Sequence, residues 1–410
     1  MSIAPQKQAA STLSFDNSPG AHLQPSFCRR RVKPLSASQF TRPSGQIASW
    51  PRFRYHLPYM AAIAGAPALL SGREPGWIYK PSWDLPLIIF SAILVPFPFL
   101  VAWLAQTTGW MGPTQAVNLI NISVALLIGG PHLFSTITYT LLDGQFRARH
   151  HAYIAFAFVL PVIVVLLGVY YYTALITFFF TWASLHVLHQ IIYLTDCYRT
   201  RAAVTEQPWS RLLDYGLVMT GLYPIGLYKM SLRLFLVGGV VLPYPDFLRA
   251  FHLPILAGVV FFLFLFAWIA KTIAEFREGR GSVPKTLLIS VTTVVSFCLP
   301  MGSNLDVLFQ GYNTWHSFQY LFLLWLINRL RDQRGEISSP FVQRLVRGKS
   351  MVPYYLCFLA ATGVIVLLTI VVRAVTPLKP DQSYFVVVLS VLLMHYYFDH
   401  FLFSHPRMIE

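Results

Sequence analysis

Charge is what this sequence has least of. Asp, Glu, Lys and Arg make up 11% of its 410 residues, where soluble domains carry roughly a quarter. A water-facing surface cannot be built from so few, and the 55% hydrophobic and 15% aromatic content points to helices that fold within a bilayer. Acids are scarcer than bases, 16 Asp and Glu against 31 Lys and Arg, for a net charge of +15. Such an excess suits nucleic acid when it gathers on one face. Here the bases fall in short runs between apolar segments, the pattern of cytoplasmic loops under the positive-inside rule, so nucleic acid is not an expected partner. Cysteine is nearly absent: Cys28, Cys197, Cys298 and Cys357 are scattered and form no C-x-x-C pair, which excludes a disulfide framework and a zinc ribbon. There is no P-loop, no glycine-rich dinucleotide fingerprint and no G-x-S-x-G elbow, so nucleotide and acyl-serine mechanisms have no support.

What is present is a succession of apolar runs. Windows of near-spanning length occur at 85–106, 115–143, 152–171, 173–197, 252–271, 284–300, 305–328, 352–373 and 383–403. The stretch 212–242, broken by Pro224, reads as one span plus a half-helix or as a re-entrant pair. The expected fold is all-α, a polytopic transmembrane helical bundle of about ten spans. Residues 1–58 stand apart, with eight Lys and Arg in the first 57 positions against the single acid Asp16. Such a composition reads as a disordered basic tail and suits an organellar targeting segment or an extended bacterial cytoplasmic N-terminus. The transmembrane domain then occupies 59–410, with the run at 57–70 too short to cross and expected at the interface. Loops carrying Arg147 and Arg149, Arg199, Arg201 and Arg211, Lys271, Arg277, Arg280 and Lys285, and Arg329 to Lys349 face the cytoplasm on this reading, as do both termini. A bacterial inner membrane is the expected location, with an organellar membrane as the alternative.

Under this topology the segments at 115–143, 173–197, 305–328 and 383–403 run in one direction. They hold every histidine that lies well inside a span: His132, His186, His189, His316 and His395. Three acids, Asp143, Asp196 and Asp399, follow on the same segments. A helix turns about 100° per residue, so on continuous helices His132 and Asp143, His189 and Asp196, and His395 and Asp399 each share a face. Tyr139 lies near the first stripe, and Gln319 follows His316 by about one turn. Ionisable groups at bilayer depth are costly and survive mainly where they face a bundle interior and hold a partner, a proton path or a metal. Interhelical glue would more cheaply use Ser, Thr and Asn.

The metal reading has definite chemistry. Imidazole binds Fe, Zn, Cu or Ni, and a mixed set of His and carboxylate with open positions suits Fe(II) that must admit O₂. The candidate ligands are His132, His186, His189, His316, His395 and Asp399; Asp143, Asp196, Gln319 and Tyr139 are candidates to orient them from behind. Five histidines exceed what a tetrahedral structural zinc needs. They suit one iron with four imidazoles and a spare, or two metals sharing carboxylates. Haem held by paired histidines is the alternative cofactor.

Four strings occur in order: GGPHLFSTITYTLLD (129–143), LHVLHQIIYLTD (185–196), NTWHSFQY (313–320) and HYYFDHFLFSHPR (395–407). In order and chemistry they resemble the motifs of bacterial membrane carotene dioxygenases of the Brp/Blh type, with Leu133 where that family has Gly after its first histidine. The resemblance implies an iron held by His132, by His189 or His186, by His316 and by His395, and O₂ used on an isoprenoid or other lipid. The expected function is an integral membrane, metal-dependent oxygenase or oxidoreductase whose lipid-soluble substrate enters from the bilayer. Two alternatives stay open. One is a proton-coupled transporter or channel using buried Asp and His; the other is a diiron desaturase or hydroxylase, which normally clusters its histidines in loop boxes.

Overall fold

The computed structural model describes residues 74–202, 206–237, 240–302, 305–348 and 350–405. The basic tail and the run at 57–70 lie outside the described residues. Among those described, the helices are α1 (Pro81–Thr107), α2 (Pro113–Thr138), α3 (Gly144–Arg149), α4 (His151–Tyr170), α5 (Tyr172–Ala202), α6 (Pro208–Thr220) and α7 (Tyr223–Ser231). They continue with α8 (His252–Arg277), α9 (Val283–Met301), α10 (Leu305–Gln333), α11 (Pro340–Val346), α12 (Val352–Val375) and α13 (Pro380–Phe403). Proline sets where many of them begin. Pro81, Pro113, Pro208, Pro340 and Pro380 open their helices, where the missing N–H is one that the first turn has no intrahelical use for. Among the described residues the strand content is one antiparallel pair, Leu236–Val237 with Val240–Val241.

Eight of these helices are long and apolar enough to cross a membrane: α1, α2, α4, α5, α8, α9, α12 and α13. The expectation was about ten, and the two counts part at two places. The region 212–242 folds as α6 and α7, of 13 and 9 residues, which at 1.5 Å per residue reach only about 20 and 14 Å. Helix α10, at 29 residues, is long enough but carries Gln310, Asn313, Thr314, His316, Ser317 and Gln319 in its first half. It forms the centre of the bundle, with Trp315, Tyr320, Phe322, Trp325 and Ile327 all buried. Around it the helices divide by burial. The apolar windows of α4, α8 and α12 are only 17% covered, against 61% for α13 and 50% for α5, so the first three form an outer wall whose exposed Phe158, Val162, Leu263, Phe266, Leu367 and Ile370 suit acyl chains rather than water.

The inner helices run in parallel. His132 on α2 packs beside His316 on α10 and His395 on α13; one turn later Thr136, Tyr320 and Asp399 meet; further on Thr138 meets Asn328. On α5, His186 stacks on Tyr396 and His189 meets Phe403. Sequence numbers rise together on all four, so they share one direction.

Two irregularities shape the inner helices. Helix α2 takes a π turn at Ala125–Gly129 immediately before the His132 segment and tightens to a 3₁₀ turn at Thr136–Thr138. A π turn rotates the residues after it relative to those before, a device frequent at functional sites. At the other irregularity, α10 passes the break in α1 so closely that a Cβ on Gly311 would lie 2.2 Å from the Val95 carbonyl oxygen.

At the C-terminal end of α5 a buried charge network joins four elements. Arg199 donates to Glu206 at 2.7 Å and to Asp214 at 2.8 Å. Lys271 of α8 pairs with Asp214, and Lys285 of α9 pairs with Glu206 and lies 3.3 Å from Asp214. Trp268 donates to Asp214 at 3.0 Å, and Ser210 to Glu275 at 2.9 Å.

Candidate metal centre

Four imidazoles from four helices meet in the middle of the bundle. His132 sits in the turn after the π segment of α2, His186 on α5, His316 on α10 and His395 on α13, all buried, the most exposed at 6%. Ring centroids lie 4.9 Å apart for His132 and His316, 4.2 Å for His132 and His395, 5.0 Å for His186 and His316, and 5.5 Å for His186 and His395. His132 and His186 therefore face each other across the pair formed by His316 and His395. Potential ligand atoms of His132, His316 and His395 all lie within 4.8 Å of one another, and so do those of His186, His395 and Asp399. Asp399, one turn beyond His395, brings Oδ2 to 3.1 Å from His395 Nε2 and 3.6 Å from His186 Nε2.

Hydroxyls fix the backs of these rings. Thr136 Oγ1 is 2.5 Å from His395 Nδ1, and Ser317 Oγ is 3.1 Å from His132 Nδ1. Tyr139 donates to Asp399 Oδ1 at 3.1 Å, Tyr320 donates to the same oxygen, and Thr136 lies 2.8 Å from the Tyr320 hydroxyl. With those atoms occupied, His132 Nε2, His186 Nε2, both nitrogens of His316, His395 Nε2 and Asp399 Oδ2 are buried without a hydrogen-bond partner. Native interiors leave few such groups. Here six fall on five neighbouring side chains, so their chemistry fits a cation that accepts lone pairs.

Other candidates from the sequence lie elsewhere. His189, about 60° around α5 from His186, is half-buried against Phe403 and His400 and belongs to neither group of converging ligand atoms. Asp143 cannot share a helical face with His132, because α2 ends at Thr138; it caps α3, accepting from the Phe146 N–H at 2.9 Å, and pairs with Arg331. Asp196 is held by Arg199 and by Tyr215 at 2.6 Å, within the charge network. Gln319 accepts from Gln190 at 3.1 Å and donates to the Ile88 carbonyl at 2.5 Å, bracing α10 against α5 and the π turn of α1. Tyr139 does reach the cluster, through Asp399. Two participants were not expected from the sequence, Ser317 and the hydrogen-bonding part of Tyr320. Tyr320 had a signal, lying one turn after His316; Ser317 had none, since a neighbour at i+1 points about 100° away.

Two apolar cavities flank the centre. One is lined by His132 itself with Phe179, Phe309, Phe385 and Leu392. The other is lined by Phe180, Val187, Leu308 and Tyr396, the last being the ring stacked on His186. Phe309 and Asn313 line both. No protein-family model, no curated protein and no solved structure matches this chain.

Proposed function

We propose that this is an integral membrane, iron-dependent oxygenase acting on an isoprenoid or other lipid-soluble substrate. The observation that carries the reading is the set of six unpartnered atoms on His132, His186, His316, His395 and Asp399. A buried polar group left unsatisfied costs about 1–3 kcal/mol; Asp399 Oδ2 lies 3.1 and 3.6 Å from the His395 and His186 nitrogens, but His132 Nε2 and both nitrogens of His316 make no hydrogen bond. A bound cation removes that cost. The groupings of ligand atoms share His395, whose Nδ1 is already held by Thr136, leaving one nitrogen for one ion; a single metal is therefore favoured over two. A His and carboxylate set suits Fe(II) with room for O₂. Rings packed 4.2–5.5 Å apart leave no slot for a haem macrocycle.

When bound, the iron would supply O₂ activation beside an apolar substrate. The chain's own groups do the rest. Thr136 and Ser317 orient His395 and His132, as partners behind metal-bound histidines commonly do. Tyr320 and Tyr139 hold protons on Asp399 Oδ1, which leaves Oδ2 turned to the imidazoles. The Phe and Leu walls of the cavities admit substrate sideways from the bilayer and exclude water from reactive oxygen species. A proton path is less well supported, since Asp143 and Asp196 are each tied to an arginine. Histidines of the loop-box diiron kind are not gathered here either, His150 lying against Phe146 and Phe401.

The test is elemental analysis by mass spectrometry on detergent-purified protein beside His316→Ala and His395→Ala. About one iron per chain is expected, lost in both variants while size-exclusion profiles stay monodisperse. Wild type from iron-replete cells that holds no metal would end this reading.

A further inference from the structure

Two consecutive residues of α5 open onto different cavities. Phe179 lines the one that touches His132, and Phe180 lines the one that touches Tyr396. Opposite them, Phe309 of α10 faces both cavities and meets both rings edge-on, with centroids 5.6 Å from Phe179 and 4.9 Å from Phe180. The three rings therefore form a wall between α5 and α10, with a cavity on either side. Among the described residues, Asn313 is the other side chain common to the two linings. It follows Phe309 by one turn on the same face of α10, and His316 follows Phe309 by two turns on that face again. The wall thus stands in line with the centre, about 10 Å from it along the helix, and divides what approaches from either flank.

The two flanks are not equivalent. On one, His132 is itself part of the lining. On the other, Tyr396 stands between cavity and imidazole, stacked on His186 with ring centroids 3.8 Å apart. From the first cavity a substrate reaches a candidate ligand directly; from the second it meets the Tyr396 ring. Lining positions of the first run on α2 from Asn121 to Leu133, about 18 Å of helix, which is the reach of a farnesyl-sized chain. We propose that Phe309 is a specificity-determining residue: packed against Phe179 and Phe180, it closes the His132 cavity and limits the chain that reacts at the centre to one that fits this cavity alone. A chain twice that length has to pass the wall into the neighbouring cavity, and three interlocked rings in a close-packed interior do not yield without cost. The inference rests on the reading of the centre as one that acts on lipid-soluble molecules, and it narrows that class by length. Asn313 is tied through Ser317 to His132 Nδ1, so a change there would disturb the centre as well. Phe309 can be cut back without removing a hydrogen bond.

The test measures equilibrium binding of tritiated farnesene and of tritiated squalene, an isoprenoid hydrocarbon twice as long, to the full-length detergent-purified protein. Each affinity is taken as a ratio of variant to wild type in the same detergent, so that partition into micelles cancels. Phe309→Ala should bind squalene about tenfold more tightly than wild type, the worth of about two newly buried methylenes, and farnesene about as tightly as wild type. Phe309→Leu, which spares more of the packing, should shift squalene the same way by less. In Phe178→Ala, where the ring lost is 51% exposed and precedes the wall by one residue, neither affinity should move. Iron content by elemental analysis should be unchanged in all three. Wild type that binds squalene as tightly as Phe309→Ala does would overturn the proposal, and so would equal gains for both hydrocarbons, which would mean general loosening. Should Phe309→Ala fail to fold, an unshifted Phe309→Leu overturns it equally. A squalene gain in protein that carries no iron would sink the oxygenase reading and leave Phe309 standing as the wall.

Discussion

His395 divides its two nitrogens between different neighbours, and the position of one hydroxyl decides how. Thr136 Oγ1, 2.5 Å from Nδ1, fixes the ring so that Nε2 turns to the other imidazoles. Thr136→Val keeps the shape and removes the hydroxyl. Iron affinity should fall by roughly 10–100-fold, as for other partners behind metal-bound histidines, while the protein stays folded; chelator competition against the purified protein measures it. Unchanged affinity would show that the ring is held by packing alone. Much at this scale was legible in the sequence. The one-turn spacing of His395 and Asp399 puts both in one cluster, and singly placed histidines inside apolar runs mark the elements that meet. His189 and Asp143 were misplaced for different reasons. His189 shares a helix with His186 but not its direction, and which of the two faces inward depends on neighbours that periodicity does not name. The face shared by His132 and Asp143 requires a continuous helix, and α2 stops five residues before Asp143 at a 3₁₀ turn.

Among the elements, the long apolar helices were legible and the broken ones were not. Runs such as α4, α8 and α12 declare themselves by composition, because lipid demands apolar side chains over a full crossing. The π and 3₁₀ turns in α1 and α2 are marked only by prolines, Pro86 and Pro96 in α1 and Pro131 in α2, which break the helical ladder without saying which kind of turn forms. Gly311 is the contact where α10 packs tightest against α1. Gly311→Ala would press a methyl group into the Val95 carbonyl, backbone against backbone, and neither can rotate away. A loss of about 1–3 kcal/mol is expected, read as a lower midpoint in thermal or denaturant unfolding in detergent. Gly363, whose added Cβ would meet nothing within 4 Å, is the control: Gly363→Ala should leave the midpoint unchanged or slightly higher.

For the molecule as a whole, the charge network at the end of α5 joins α5, α6, α8 and α9 where apolar packing gives way to loops. Asp214 is fully buried and faces Arg199, Lys271 and Lys285. Asp214→Asn would leave Lys271 with Glu275 alone, at 3.6 Å, and Lys285 with Glu206, so the expected loss is at the low end of about 3–5 kcal/mol, checked by unfolding in detergent; the double variant Asp214→Asn/Lys271→Met should recover part of it. Glu206 makes the network sensitive to acid. Burial pushes its pKa up, but hydrogen bonds from Lys285 and Arg199 outweigh that and hold it below the ordinary glutamate value of 4.5. A group depressed in the folded state stabilises above its unfolded value, and the contribution is lost as pH falls through the folded one. Wild type should therefore exceed Glu206→Gln in melting temperature at pH 7, with the gap closing below about pH 4. A gap that widened in acid would reverse the assignment.

Both groupings of ligand atoms contain His395, and His395 lies on α13, the last helix described. Chains emerge and insert from the N-terminus, so the helices bearing His132, His186 and His316 must already be in place while the centre still lacks the residue common to both groups. An ion at the proposed centre could be gripped only when α13 closes the ring. Its binding energy would then fall on the finished bundle and on no earlier state, which would make the proposed metal a clasp fastened last, and its presence in a purified chain a record that assembly ran to completion.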